Sequence, residues 1–165
     1  MKPKILLVDD ERSIRSSLHR IFRKNGFDVF EADGGAAALE LLNNETVDVV
    51  VSDQRMPGMN GTEFLTQVKQ QYPQIGRIML SGQSDFDDLC DAINEANIYR
   101  FLPKPWSEEQ LVEIVKEVVA QKESVSEIIT SDAINIATVS TSKIKRNNKS
   151  MASLIEEASH RQQSS

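Results

Sequence analysis

Four short stretches place acidic, hydroxyl or basic side chains directly after apolar runs. "KILLVDDE" ends in Asp9, Asp10 and Glu11, and "VVVSDQRMPGMNG" sets Asp53 between an aliphatic run and a turn rich in Met, Pro and Gly. "IMLSG" and "FLPKPW" carry Ser81 and Lys104 at the corresponding places. An acid at the end of a buried strand is costly unless metal, hydrogen bonds or chemistry compensate it. Neighbouring carboxylates repel and raise one another's pKa unless a cation sits among them. Mg²⁺ meets that need: it prefers octahedral oxygen ligands, keeps several waters, and is usually held by one or two carboxylates plus a phosphate oxygen. An ion alone would not call for a hydroxyl and an ammonium, but an arriving phosphoryl group would. The set therefore points to phosphoryl chemistry, with a carboxylate as nucleophile forming an acyl phosphate. Alignment and neutralisation of the equatorial oxygens by Mg²⁺, Lys104 and Ser81 would supply the catalysis. Singly, each residue has a plainer reading: a turn or helix cap for the Asp pair, a turn residue for Ser81, a solvated loop lysine for Lys104. Their joint placement at strand ends is the stronger signal.

Those positions require elements to carry them. Short aliphatic or β-branched runs alternate with longer segments of helical period, the pattern of βα units and a parallel sheet. Strands are predicted over Lys4 to Val8, Asp28 to Ala32, Val47 to Ser52, Arg77 to Ser81 and Ile98 to Pro103. Apolar helix faces follow at Ile14, Leu18, Ile21 and Phe22, then at Ala38, Leu41 and Leu42, then at Phe64, Leu65 and Val68. Leu89, Ile93 and Ala96 form the fourth face, and Leu111, Ile114, Val115 and Val118 the fifth. Ser107 followed by Glu108, Glu109 and Gln110 reads as a capping box, with acids at the positive end of the helix dipole. In such a sheet, ligands gather at the carboxyl edge of the strands.

The apolar spacing lapses after Gln121, so a compact domain is expected over 1–121 and a Ser/Thr/Lys-rich tail over 122–165, first a helical extension to about Ile129 and then disordered, with a short helix around Leu154 to Ala158. Residues 1–120 hold 13 Lys+Arg against 20 Asp+Glu, and the tail from residue 121 holds 6 against 5, so the body is acidic. That balance argues against nucleic-acid binding through the phosphate backbone. "KIKRNNK" at Lys143 to Lys149 is the one basic cluster and reads as a solvated tail. The apolar runs are far shorter than a bilayer span and "MKPK" leads straight into a strand, so a cytoplasmic protein without membrane contact is expected. Cys90 lacks partners at metal or disulfide spacing and reads as a small buried residue. His19, beside Arg15 and Arg20, reads as a solvent-facing helix residue, and His160 falls in the tail without a metal-ligand pattern.

Taken in order, "ILLVDDE", "VVSDQRMPGMNG", "IMLSG" and "FLPKPW" resemble the receiver domain of two-component response regulators over about Pro3 to Ala120. The resemblance implies a flavodoxin-like (βα)5 fold, a five-stranded parallel sheet with helices on both faces. It implies Asp53 as phosphoacceptor, Asp9 and Asp10 as Mg²⁺ holders, and the Arg55 carbonyl as the remaining protein ligand. Ser81 then corresponds to the switch hydroxyl, Lys104 to the phosphate-binding lysine and Phe101 to the switch aromatic. A cis bond between Lys104 and Pro105 is implied as well. Arg55 and Gln83 flank the site, and the resemblance implies that these positions tune the lifetime of the phosphoryl group. Pro57 fixes φ in the turn after Asp53, and Gly58 and Gly61 permit tight backbone geometry there.

Implied partners are a sensor histidine kinase or phosphotransfer protein and a downstream protein bound through a face that phosphorylation reshapes; dimerisation on phosphorylation is compatible with the resemblance. Ser81 moving toward the phosphoryl group would leave room for Phe101 to turn inward. The fourth helix, "SDFDDLCDAINEAN", has modest helix propensity, as suits an element that shifts. "SDQRMPGMNG" and "INEANIYRFLPKPW" resemble receivers that precede cyclic-di-GMP phosphodiesterase or sigma-54-type activator domains, while the tail is too short and polar for a winged helix. Alternatives are a receiver-fold binding module independent of phosphorylation, a small Mg²⁺-dependent phosphatase, and a flavodoxin-like cofactor binder. The phosphatase reading lacks a second Asp at D-x-D spacing in "VSDQRMP", and the cofactor reading lacks a phosphate loop at "DDERS". The expectation is a signalling protein and not an enzyme.

Overall fold

The computed structural model describes residues 1–82 and 100–124, with Arg100 by its backbone alone. Its elements are β1 (Lys4–Val8), α1 (Arg12–Lys24), β2 (Asp28–Ala32), α2 (Gly35–Leu42), β3 (Val49–Asp53), α3 (Gly61–Gln71), β4 (Gly76–Ser81) and β5 (Arg100–Pro103). A further helix, α4, covers 108–124 and is the fifth of those expected from the sequence. One compact unit spans Met1–Lys122.

All strand pairs are parallel, and the sheet order is β2-β1-β3-β4-β5. Strand β3 is therefore central with β1 beside it, and the winding reverses between β1 and β3, which opens a crevice at their carboxyl ends. Strands buried on both faces are near-continuous apolar runs, as in "ILLV" of β1 and "VVV" of β3, because each face carries its own helices. On one face Leu6, Val8, Val50 and Met79 pack with Ala38 and Leu42 of α2 and Phe64, Leu65 and Val68 of α3. On the other, Ile5, Leu7, Val49, Val51, Ile78 and Leu80 pack with Leu18 and Phe22 of α1 and Leu111, Val115 and Val118 of α4. The five-stranded parallel α/β architecture expected from the sequence is the one observed.

Strands β1 and β2 have the expected bounds. Strand β3 begins two residues later than expected and takes in Asp53, and β4 begins one residue earlier, at Gly76. The shift keeps Val49 opposite Ile5 and Gly76, so that Asp53 is held by the ladder opposite Leu80. The capping box of α4 forms as expected: Gln110 N–H donates to Ser107 Oγ, and Ser107 N–H to Gln110 Oε1, both at 3.2 Å. A second box, at Asn60 and Glu63, starts α3. The expected helical extension past Gln121 is present as far as residue 124, whereas its remainder to Ile129, the fourth expected helix with Leu89, Cys90, Ile93 and Ala96, the position Gln83, the strand residues 98–99, and the tail with "KIKRNNK" and His160 lie outside the described residues.

Candidate phosphoacceptor site

The carboxyl ends of β1, β3 and β4 and the loop after β5 bring the sequence-selected residues to one edge. One carboxylate oxygen from each of Asp9, Asp10 and Asp53 lies within 4.8 Å of the others. Asp9 and Asp53 are buried and Asp10 is exposed, so the cluster opens toward solvent on the Asp10 side.

Asp53 Oδ1 accepts from the Gln54 N–H at 3.0 Å and from Lys104 Nζ at 3.1 Å. This contact joins positions 51 apart in the chain. Lys104 is aimed by its neighbours: its N–H donates to the Ser81 carbonyl at 2.7 Å, and its Nζ stands 5.6 Å from the centre of the Trp106 ring. The Lys104–Pro105 bond is cis, as the resemblance implied. Trp106 packs partly buried against the α1/α4 face, so its ring is a fixed wall beside the ammonium.

Asp9 is 2% exposed, and its Oδ1 accepts from the Glu11 N–H at 2.8 Å. Its Oδ2 is a buried oxygen without a hydrogen-bond partner. Burial pushes the Asp9 carboxyl up to about 6, against the relief given by the Glu11 N–H and Lys104; repulsion from Asp53 and Asp10 adds smaller increments. Desolvation is thus the larger cause here, where the sequence had suggested mutual repulsion. An orphaned buried oxygen within reach of two further carboxylates suits a hard cation that binds oxygen and keeps waters on its open side.

The loop after Asp53 is stapled to α3. Gln54, 6% exposed, accepts at Oε1 from Thr62 N–H at 2.9 Å and Thr62 Oγ1 at 3.0 Å, while Gly61 N–H donates to the Gln54 carbonyl at 2.9 Å. A Cβ at Gly61 would lie 2.3 Å from the Asp53 carbonyl oxygen, so only glycine permits this approach; Gly58 is needed instead for its φ of +78°. Arg55 follows on this loop with its residue exposed.

Ser81 is buried, and its hydroxyl donates to the Gly82 carbonyl at 3.2 Å. Ser81 pairs with Pro103 and Met79 with Phe101, so Ser81 and Phe101 lie on the same sheet face, diagonal to each other. Phe101 packs partly buried against the α2/α3 side of the core. His19 is not simply solvent-facing, because Nδ1 meets Glu31 Oε1 at 2.5 Å. Sequence reading passed over Gln54, Trp106 and Arg15, although each adjoins a residue it selected in sequence or one helical turn on.

The response regulator receiver domain family matches residues 5–116. The chain belongs to that family. Among curated relatives, this receiver domain is 38% identical over 115 residues to the hydrogenase transcriptional regulatory protein HoxA of Cupriavidus necator, covering 70% of this chain and 24% of that protein. It thus spans about a quarter of the length of that relative. It is 31% identical over 122 residues to sporulation initiation phosphotransferase F of Bacillus subtilis, covering 74% of this chain and 98% of the other. The signal receiver domain of an HD domain-containing protein from Pseudomonas fluorescens Pf-5 superimposes with a TM-score of 0.72 at 35% identity, over 75% of this chain and 99% of that one. Receiver domains of this kind belong to two-component signalling, and among the described residues no helix is long and apolar enough to cross a membrane.

Proposed function

We propose that this receiver accepts a phosphoryl group on the Asp53 carboxylate from a sensor histidine kinase or phosphotransfer protein, and signals by changing a protein-binding surface. Supporting this is the placement of Lys104 Nζ at 3.1 Å from Asp53 Oδ1, beside the Asp9 and Asp10 carboxylates. An Asp53 carboxylate oxygen forms the new bond to phosphorus as the bond to the donor's imidazole nitrogen breaks, and the imidazole leaves with its electron pair. Asp9, Asp10, Asp53 and the Arg55 carbonyl would hold Mg²⁺, which when bound neutralises charge on the transferred group. Lys104 gives up its contact with Asp53 to pair with a phosphoryl oxygen, and Ser81 donates to another. The product carries about −1.5 to −2 charges.

Movement of Ser81 toward that charge frees space on the sheet face it shares with Phe101, and Phe101 turns inward. Residues 1–121 form the receiver in this reading, and 122–165 a tail that contacts a partner or links to one. Loss of the phosphoryl group to water is the only turnover. The setting is cytoplasmic, without a role for nucleic acid or membrane.

Intact mass after incubation with Mg²⁺ and acetyl phosphate tests the chemistry. Wild type gains one phosphoryl mass and Asp53→Asn gains none. No gain in wild type, repeated with histidine-phosphorylated donors, refutes phosphoryl acceptance and leaves a receiver fold that binds without it.

A further inference from the structure

We propose that Arg15 is a positioning residue for divalent-cation binding, holding the Asp9 segment in its ligating placement through the Asp9 main-chain carbonyl. The inference rests on the reading that Asp9 helps to hold Mg²⁺. Three polar atoms of Asp9 are restrained: its N–H donates to the Ala32 carbonyl at 3.3 Å, its Oδ1 accepts from Glu11 N–H, and its carbonyl accepts from Arg15 Nη1 at 2.6 Å. The fourth, Oδ2, is the oxygen left for a ligand. Two of the restraints come from main chain. Arg15 is the side chain among them.

Arg15 is itself oriented. Its side chain is 14% exposed, and its Nε lies 3.7 Å from Glu31 Oε2 while His19 holds the other Glu31 oxygen. Its main-chain N–H donates to the Glu11 carbonyl at 3.1 Å, so the residue sits one turn into α1 and its side chain reaches back to the loop. A planar guanidinium offers different edges to the carbonyl and to the carboxylate, which a single ammonium does not. Glu31 on β2, Arg15 on α1 and Asp9 after β1 thereby form one strut across three elements.

The alternative is that Arg15 is a surface cation that solubilises α1 and happens to reach a carbonyl. The two readings differ in sign. A bystander cation near an acidic cluster opposes Mg²⁺, so its removal tightens binding. A positioning residue does the reverse, because Mg²⁺ demands near-ideal octahedral geometry and loses affinity when a ligand drifts. Loss of outer-shell partners of metal ligands costs roughly 10–100-fold in affinity.

Calorimetric titration of the full chain with MgCl₂, without any phosphoryl donor, separates them, with the metal-free melting temperature as the check on folding. Arg15→Ala is expected to weaken Mg²⁺ about tenfold. Arg15→Lys, which keeps a donor for the carbonyl, is expected to recover part of that loss. Equal or tighter binding by Arg15→Ala, or no recovery in Arg15→Lys, overturns the proposal. Should Arg15→Ala fail to fold, Arg15→Met keeps the aliphatic stem, removes the donor to the Asp9 carbonyl and is likewise expected to weaken Mg²⁺ about tenfold; equal or tighter binding there overturns the proposal too. Absence of Mg²⁺ binding by wild type removes the metal reading itself together with the strut, whereas wild-type binding with unaltered variants removes the strut alone.

Discussion

Replacing Asp9 by Asn should stabilise the metal-free protein near neutral pH. Asp9 is 2% exposed, its Oδ2 has no hydrogen-bond partner, and burial pushes its carboxyl from 3.8 up to about 6. A folded-state pKa above the unfolded value means that the native state binds more protons between the two, so stability falls as pH rises through that window. The penalty is absent below about 3.8 and complete above about 6. At about 1.4 kcal/mol per pKa unit, the cost approaches about 3 kcal/mol at pH 7, before the loss from an imperfectly paired Asn amide. For a domain of this size that is on the order of 10 °C in melting temperature. Urea unfolding in EDTA from pH 4 to 7.5 measures it: wild type should lose stability between about pH 4 and 6, and Asp9→Asn should show a flatter profile that lies higher at pH 7. Mg²⁺ at 100 times its Kd adds about 2.7 kcal/mol to a protein that binds it only when folded, so wild type should then approach the variant. A variant less stable than wild type at pH 7 without metal, or profiles of equal slope, would refute the claim that Asp9 is a buried charge awaiting a cation.

Three further variants have expected outcomes. Gly61→Ala drives a Cβ to 2.3 Å from the Asp53 carbonyl oxygen and 2.9 Å from the Gln54 Cα, and should cost about 1–3 kcal/mol in urea unfolding while slowing acetyl-phosphate labelling. Gly58→Ala, strained by φ alone in open space, should cost about 1–2 kcal/mol and leave labelling unchanged, so equal labelling by both variants argues against a link from Gly61 to Asp53. Phe101→Ala should still be labelled on Asp53 yet lose phosphorylation-dependent binding to its protein partner in a pull-down; full binding would sink the proposed coupling of Ser81 to Phe101.

Alternation of apolar runs with helical periods was enough to predict the parallel sheet and the bounds of β1 and β2; the β1 run is the plainer signal because a strand buried on both faces is nearly all apolar, whereas β2, at the sheet edge, keeps Asp28 and Glu31 exposed. Acids, a hydroxyl and a lysine at strand ends were equally legible, as polar groups in those places need compensation. The Ser107 capping box could be read because it is a local motif. The Asn60–Glu63 box carries the same kind of signal and was overlooked beside the Met-Pro-Gly turn.

What residue types and local periodicity determined was the inventory: which groups stand at strand ends, and the class of sheet that collects them. Tertiary structure decided how they act on one another. Sheet register sets Asp53 opposite Leu80 and lets Lys104 reach it across 51 residues. Packing of the edge made burial, more than repulsion, the cause of the raised Asp9 carboxyl, and folded Arg15 back from α1 onto the Asp9 carbonyl. Such contacts join residues whose separation in the chain carries no periodic signal, so their distances and their desolvation exist only once the sheet has assembled.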